Sequence, residues 1–184
     1  MTGLVPSKVF FTKGVGVHRE KLASFERALR DARIACYNLV EVSSIMPPEC
    51  EIIPREEGLE YLKPGQILHT VLSQNSSREE GRLVSAAIGA AVPQDRSRYG
   101  YISEHHEFGM SEEKIGEYAE DLAAEMLAST LGIEYDIDAG YDETRDIFKI
   151  DGRIVKTRHT AVVATSGSSD RWTTVVAAAV LIIE

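Results

Sequence analysis

Two adjacent serines, Ser43 and Ser44, stand in the stretch Asn38-Leu39-Val40-Glu41-Val42-Ser43-Ser44-Ile45-Met46-Pro47-Pro48, between an apolar run and a rigid proline pair. A serine pair so placed can support peptide self-cleavage. The Ser44 hydroxyl attacks the Ser43 carbonyl and forms an ester. β-Elimination then leaves dehydroalanine at position 44, which hydrolyses to a pyruvoyl group. The reaction needs a strained, pre-oriented peptide bond, and a tight break at a strand end is a place where strain can be stored. Serine is also common at ordinary strand-to-turn junctions. Local chemistry alone leaves both readings open.

Asn38 lies six residues before Ser44. An even spacing on a strand puts both side chains on one face, where the amide could help position the scissile peptide or its oxyanion. The alternative is a strand asparagine bonded to a turn. Glu104, in Tyr101-Ile102-Ser103-Glu104-His105-His106, falls at an expected strand end. Glu26, in Phe25-Glu26-Arg27-Ala28-Leu29, falls beside apolar residues of an expected helix. Either carboxylate could equally be a solvated surface group. His105 and His106 with Glu104 and Glu107 resemble a metal cluster only at first sight. Neighbours on a strand point to opposite faces, so only Glu104 and His106 share a side. Two ligands are too few for a closed zinc site, and no metal is expected.

These groups need a scaffold. The chain has 184 residues, enough for one domain whose core needs no disulfide or metal staple. Its hydrophobic content of 43% and charged content of 27% suit a soluble globular protein. A formal net charge of -9 argues against binding nucleic acid or an anionic membrane, both of which need a basic surface. Cys36 and Cys50 read as reduced thiols of a cytoplasmic protein. Met1 to Lys13 lacks a long apolar run, so no signal peptide is expected.

Along the chain, Lys8 to Val17 reads as a strand and His18 to Ala35 as a helix. Leu22, Phe25, Leu29 and Ala32 lie on one face of that helix. Tyr37 to Ser43 reads as a short strand, and Pro47 and Pro48 forbid its regular continuation. Glu49 to Gly65 is charged and contains proline, and reads as a surface loop. Strands are expected at Gln66 to Leu72, Leu83 to Val92 and Gly100 to His106. Ser111 should cap a second long helix with Ile115, Tyr118, Leu122 and Met126 on one face. Thr160 to Thr165 and Trp172 to Ile183 read as strands joined by a turn-rich Ser166 to Asp170. Strands interleaved with two helices suggest an α/β layered sandwich.

The motif Asn-Leu-Val-x-Val-Ser-Ser-Ile-Met-Pro-Pro resembles the processing site of the pyruvoyl-dependent arginine decarboxylases. The similarity runs from about Leu22 through Glu104. It takes in the Glu-Ile-Ile-Pro after the motif and the Ala-Ala-Val-Pro-Gln-Asp segment; the alanine-rich C-terminal strand also fits. The resemblance implies a four-layer αββα sandwich in which residues 1–184 form one domain. Cleavage between Ser43 and Ser44 would leave residues 1–43 as the β chain and 44–184 as the α chain. It implies a trimer of cleaved protomers, or a dimer of trimers, with active sites between neighbours.

The implied activity is conversion of L-arginine to agmatine and CO2, a step toward polyamines. The implied cofactor is a covalent pyruvoyl group made from Ser44. A ketone there condenses with the substrate amine and accepts the negative charge left at Cα, the work done elsewhere by pyridoxal phosphate. By the same resemblance Glu104 is the proton donor to Cα, for which its pKa must be raised. Glu26 holds the distal cation of the substrate. The family usually has aspartate there, and glutamate keeps the charge with one more methylene. Two alternatives stand beside this reading: a pyruvoyl enzyme for another amino acid such as histidine or lysine, and an uncleaved, non-catalytic assembly subunit.

Overall fold

The computed structural model describes residues 4–132 and 154–184. Alternating side-chain direction along long strands builds its core. β1 (Lys8–His18), β5 (Ile67–Ser77) and β9 (Trp172–Ile182) pair antiparallel, with β9 in the middle. Short parallel strands complete the sheet: β2 (Asn38–Glu41) on β5 and β4 (Glu51–Ile52) on β1, in the order β2-β5-β9-β1-β4. A second, antiparallel sheet has the order β3-β7-β6-β8, from β3 (Ile45–Met46), β7 (Gly100–Phe108), β6 (Leu83–Pro93) and β8 (Ile154–Thr165).

The sheets pack face to face. Val175, Ala177, Ala179 and Leu181 of β9 join Val84, Ala86, Ile88 and Ala90 of β6 in the central cluster. The alternate residues of β9, Val176, Ala178 and Val180, face outward with Ala28 and Ala32. They are covered by α1 (Lys21–Asp31), while α3 (Glu112–Leu131) covers the outer face of the second sheet through Ala123, Leu127 and Ala128. The layers are therefore helix, sheet, sheet and helix, the expected αββα sandwich. Among the described residues no helix is long and apolar enough to cross a membrane.

Small residues carry much of the helix contact; Phe25, Leu29 and Ala32 on one helix and Ile115 on the other pack as expected, whereas Leu22 and Tyr118 do not. Leu22 is 79% exposed and Tyr118 is 45% exposed. The buried lines are Ser24 and Ala28 on α1, and Ile115, Ala119, Ala123 and Leu127 on α3. The reason lies in the strands beneath. A Cβ on Gly16 would stand 2.0 Å from the Ser24 carbonyl oxygen, and one on Gly89 would stand 2.1 Å from that of Ala119. Backbone lies almost on backbone, so large side chains are pushed to the flanks. Ser111 caps α3 as expected, accepting from the Lys114 N–H. That contact is worth about 1 kcal/mol.

Other expectations need adjustment. Residues 49–65 are not only a loop, since they hold β4 and the short helix α2 (Arg55–Glu60) and bury Cys50, Ile53 and Leu62. β5 and β7 run on past their expected ends. β8 and β9 are consecutive but belong to different sheets, so Ser166 to Asp170 carries the chain between layers.

Gly16→Ala should lower stability by about 1–3 kcal/mol, the usual cost of overpacking a tight contact. Denaturant unfolding measures it. An unchanged midpoint would mean that α1 is not pressed onto β1 in this way.

Candidate active site

The chain crosses from one sheet to the other at the serine pair. Val42 N–H donates to the Thr70 carbonyl of β5 at 2.9 Å, the last bond that holds this segment to the first sheet. Ser44 is already bonded to the second sheet, where its carbonyl accepts from Ile102 N–H of β7 at 2.8 Å. Only Ser43 spans the gap. Met46 is then sunk into the cluster between the sheets. Beyond it the turn at Pro47–Cys50 is tied to the β6–β7 loop: Glu49 N–H donates to the Arg96 carbonyl at 2.9 Å, and the Arg96 guanidinium donates to the Cys50 carbonyl. Glu49 is left with φ of 57°, a conformation disfavoured for a residue with a Cβ.

The Ser43–Ser44 peptide is thus held on both sides and tightly folded. Ile45 N–H turns back onto the Ser43 carbonyl at 3.0 Å, closing a γ-turn centred on Ser44. Ser43 is exposed and Ser44 half-buried. A pocket of about 340 Å³ opens beside the bond, lined by Val42, Ser43, Ile45, Pro47, His69 and Leu181 among others. A seryl residue pinned at its own carbonyl, beside open space, fits the formation of a pyruvoyl group at position 44.

Glu104 lies in the middle of β7, two residues beyond Ile102, and not at a strand end. It is exposed in the single chain. Partial removal from water, and next the Glu41 carboxylate, nevertheless push its carboxyl above the ordinary glutamate range; His106 acts the other way. Glu41 ends β2 at the rim of the first sheet, near enough for its charge to act on Glu104. Sequence reasoning passed over Glu41, although an acidic residue inside an apolar run just before the serines was a visible signal. His105 points to the other face of β7, against the Tyr118 ring at 4.4 Å, and burial lowers its pKa.

Asn38 and Glu26 are elsewhere. Asn38 donates its side-chain amide to the Gly65 carbonyl at 2.8 Å, at the far end of β2. Six residues of extended chain span about 20 Å, beyond the reach of its side chain to Ser44 in the same chain. The even-spacing argument lapses because β2 stops at Glu41 and the chain bends into the other sheet. Gly65 N–H in turn bonds the Cys36 carbonyl at 2.7 Å. Cys36 lines a shallow pocket of about 430 Å³ with Glu26, Arg30, Arg33 and Ala35. Glu26 accepts from Arg30 Nη2 at 2.6 Å and Nε at 3.2 Å, both on one carboxylate oxygen. The candidate residues therefore form two groups at opposite ends of β2: Ser43, Ser44, Glu41 and Glu104 at one, Asn38 and Glu26 at the other.

Glu41→Gln removes the charge that raises the Glu104 pKa. That pKa should fall toward the ordinary range without reaching it, because loss of water is the larger cause. An NMR titration of the Glu104 carboxyl carbon measures this. An unmoved titration would show that the two groups do not interact.

A family model described as pyruvoyl-dependent arginine decarboxylase matches residues 8–184. The pyruvoyl-dependent arginine decarboxylase 2 of Methanosarcina mazei is 55% identical over 179 residues, covering 97% of this chain and 98% of that protein. The protein of the same name from Methanosarcina acetivorans is 54% identical over 179 residues, with the same coverage of each. A match of this extent, over a sandwich that pins a serine pair between its sheets, places the chain in the pyruvoyl-dependent arginine decarboxylase family.

Proposed function

We propose that this chain is a proenzyme that cuts itself between Ser43 and Ser44 and then decarboxylates L-arginine to agmatine. The observation that carries the reading is the placement of Ser44. Family membership calls for a pyruvoyl group, and the one serine pair of the family motif sits at a bond held from both sheets. A pyruvoyl group at position 44 supplies a ketone that accepts the negative charge left at the substrate Cα. The remaining work falls to the side chains. Glu104, whose carboxyl holds its proton to higher pH than usual, donates that proton to Cα after CO2 leaves. Glu26 receives the substrate guanidinium. Arg30 already places a guanidinium on it, so the carboxylate is accessible to that group.

The two groups at opposite ends of β2 cannot act on one arginine within one chain. A second copy that sets its Glu26 and Asn38 beside Ser44 and Glu104 completes the site, which supports a trimer with shared sites. Such an assembly would also cover Glu104 and raise its pKa further.

The test starts with maturation. Purified protein should run as residues 1–43 and 44–184 on a denaturing gel, with a blocked, ketone-bearing end on the larger fragment. Ser44→Ala should remain one chain. Wild-type protein that stays whole while releasing CO2 from arginine would falsify the reading. Release from histidine or lysine but not arginine would keep the cleavage and replace the substrate.

Glu104→Gln should still mature and should lose turnover by about 10²- to 10⁴-fold, the range for a positioned general acid. Near-wild-type turnover in that variant would remove Glu104 from the role. Sedimentation should give a trimer or a multiple of three, and an active monomer at high dilution would rule out a shared site.

A further inference from the structure

Self-cleavage begins with an oxyanion. When Ser44 Oγ adds to the Ser43 carbonyl carbon, negative charge gathers on the Ser43 oxygen. A donor already aimed at that oxygen strengthens its bond as the charge grows and so speeds the step. The side chain considered for this from the sequence, Asn38, is bonded to the Gly65 carbonyl at the other end of β2. The group that touches the Ser43 oxygen is the backbone N–H of Ile45, at 3.0 Å.

We propose that the Ile45 backbone N–H is the oxyanion donor for cleavage of the Ser43–Ser44 bond. The inference rests on the self-cleavage reading and assigns a catalytic group within it. The donor is 3.0 Å from the carbonyl oxygen before attack, so a small movement of that oxygen keeps it within the roughly 2.7–3.1 Å that an oxyanion donor needs.

Two features keep the N–H in place. The Ser44 carbonyl is fixed by Ile102 N–H, a single bond that sets the phase of the antiparallel ladder. Ile45 opposite Tyr101 is then an unbonded pair, and its N–H points away from β7 toward Ser43. One residue on, buried Met46 anchors the strand and limits rotation of the turn.

The step is an isomerisation. The C–O bond to Ser44 Oγ forms, the Ser43–Ser44 C–N bond breaks, and the proton given up by the hydroxyl ends on the Ser44 nitrogen. The ester then loses the Ser44 α-proton, and Ser43 departs as a carboxylate. Water adds to the dehydroalanine and ammonia leaves. The first addition concentrates the charge on the Ser43 oxygen, whereas the departing carboxylate shares it between two oxygens, so the first step depends most on Ile45 N–H.

The experiment uses full-length chains assembled by ligation under denaturing conditions, with refolding starting the clock. One chain carries the α-hydroxy acid of isoleucine at position 45, which replaces the N–H by oxygen. A second is Ile45→Pro, which lacks the N–H but keeps the amide carbonyl of Ser44. The ester linkage weakens that carbonyl and proline restricts Ser44, so the two share only the lost donor. The reference is a chain ligated in the same way with native isoleucine.

Cleavage is followed by intact mass on the folded fraction, and hydroxylamine traps the processing ester as a hydroxamate ending at Ser43, distinct in mass from scission of the built-in ester after Ser44. Both variants should cleave about 10²- to 10³-fold more slowly, the cost of removing one oxyanion donor. Neither should accumulate the hydroxamate that ends at Ser43. Cleavage of the α-hydroxy acid chain within about tenfold of the reference overturns the assignment, as does slow cleavage with ester building up. A reference chain that never cleaves would instead overturn the self-cleavage reading itself.

Discussion

The structure depends on one short crossing. Val42 is bonded to the first sheet and Ser44 to the second, and a single residue joins them. Face-packed sheets lie about 10 Å apart, and one extended residue spans only about 3.3 Å. The passage is made at the rim, where β2 and β3 are both edge strands. Everything that fixes the two sheets relative to each other also fixes the peptide between them. The alanine-rich packing of β6 against β9, and the helices pressed onto glycines outside them, therefore hold the Ser43–Ser44 bond in place.

The same edge explains the electrostatics. Glu41 and Glu104 come from different sheets, and the charge of one acts on the other at the rim of the sandwich. Two carboxylates brought together in partly dry surroundings favour keeping a proton. A glutamate that is exposed in one chain can thus have a raised pKa without a dedicated pocket. The pairing follows from which strands end the sheets.

Much of this was visible in the sequence. Apolar runs located the long strands, Ser111 marked the start of α3, and the serine motif pointed to the family. On the helix faces Leu22 and Tyr118 were misplaced, because the closest contacts are made by Ser24, Ala28 and Ala119 over glycines that a helical pattern does not reveal. The sheet assignment of β3, β8 and β9 depends on long-range pairing that no local pattern records. At the site, Ser44 and Glu104 could be named from the motif. The separation of Asn38 from Ser44 could not, because strand parity holds only while a strand continues. The role of Ile45 was invisible for a different reason: a backbone N–H has no letter in the sequence.

β1 lies inside the first sheet, with β9 on one side and β4 on the other, and both neighbours follow Ser44 in the chain. If the Ser43–Ser44 bond is cut as proposed, the smaller piece is an interior strand, its helix and the edge strand β2, held by partners it is no longer joined to. The precursor assembles that arrangement as a single molecule, at a rate indifferent to dilution. The cut form, if unfolded, must find its missing strand by collision, so its recovery depends on concentration. Under the proposed cut, a first-order fold would become a second-order assembly, and at high dilution its lifetime would be set by the barrier to opening.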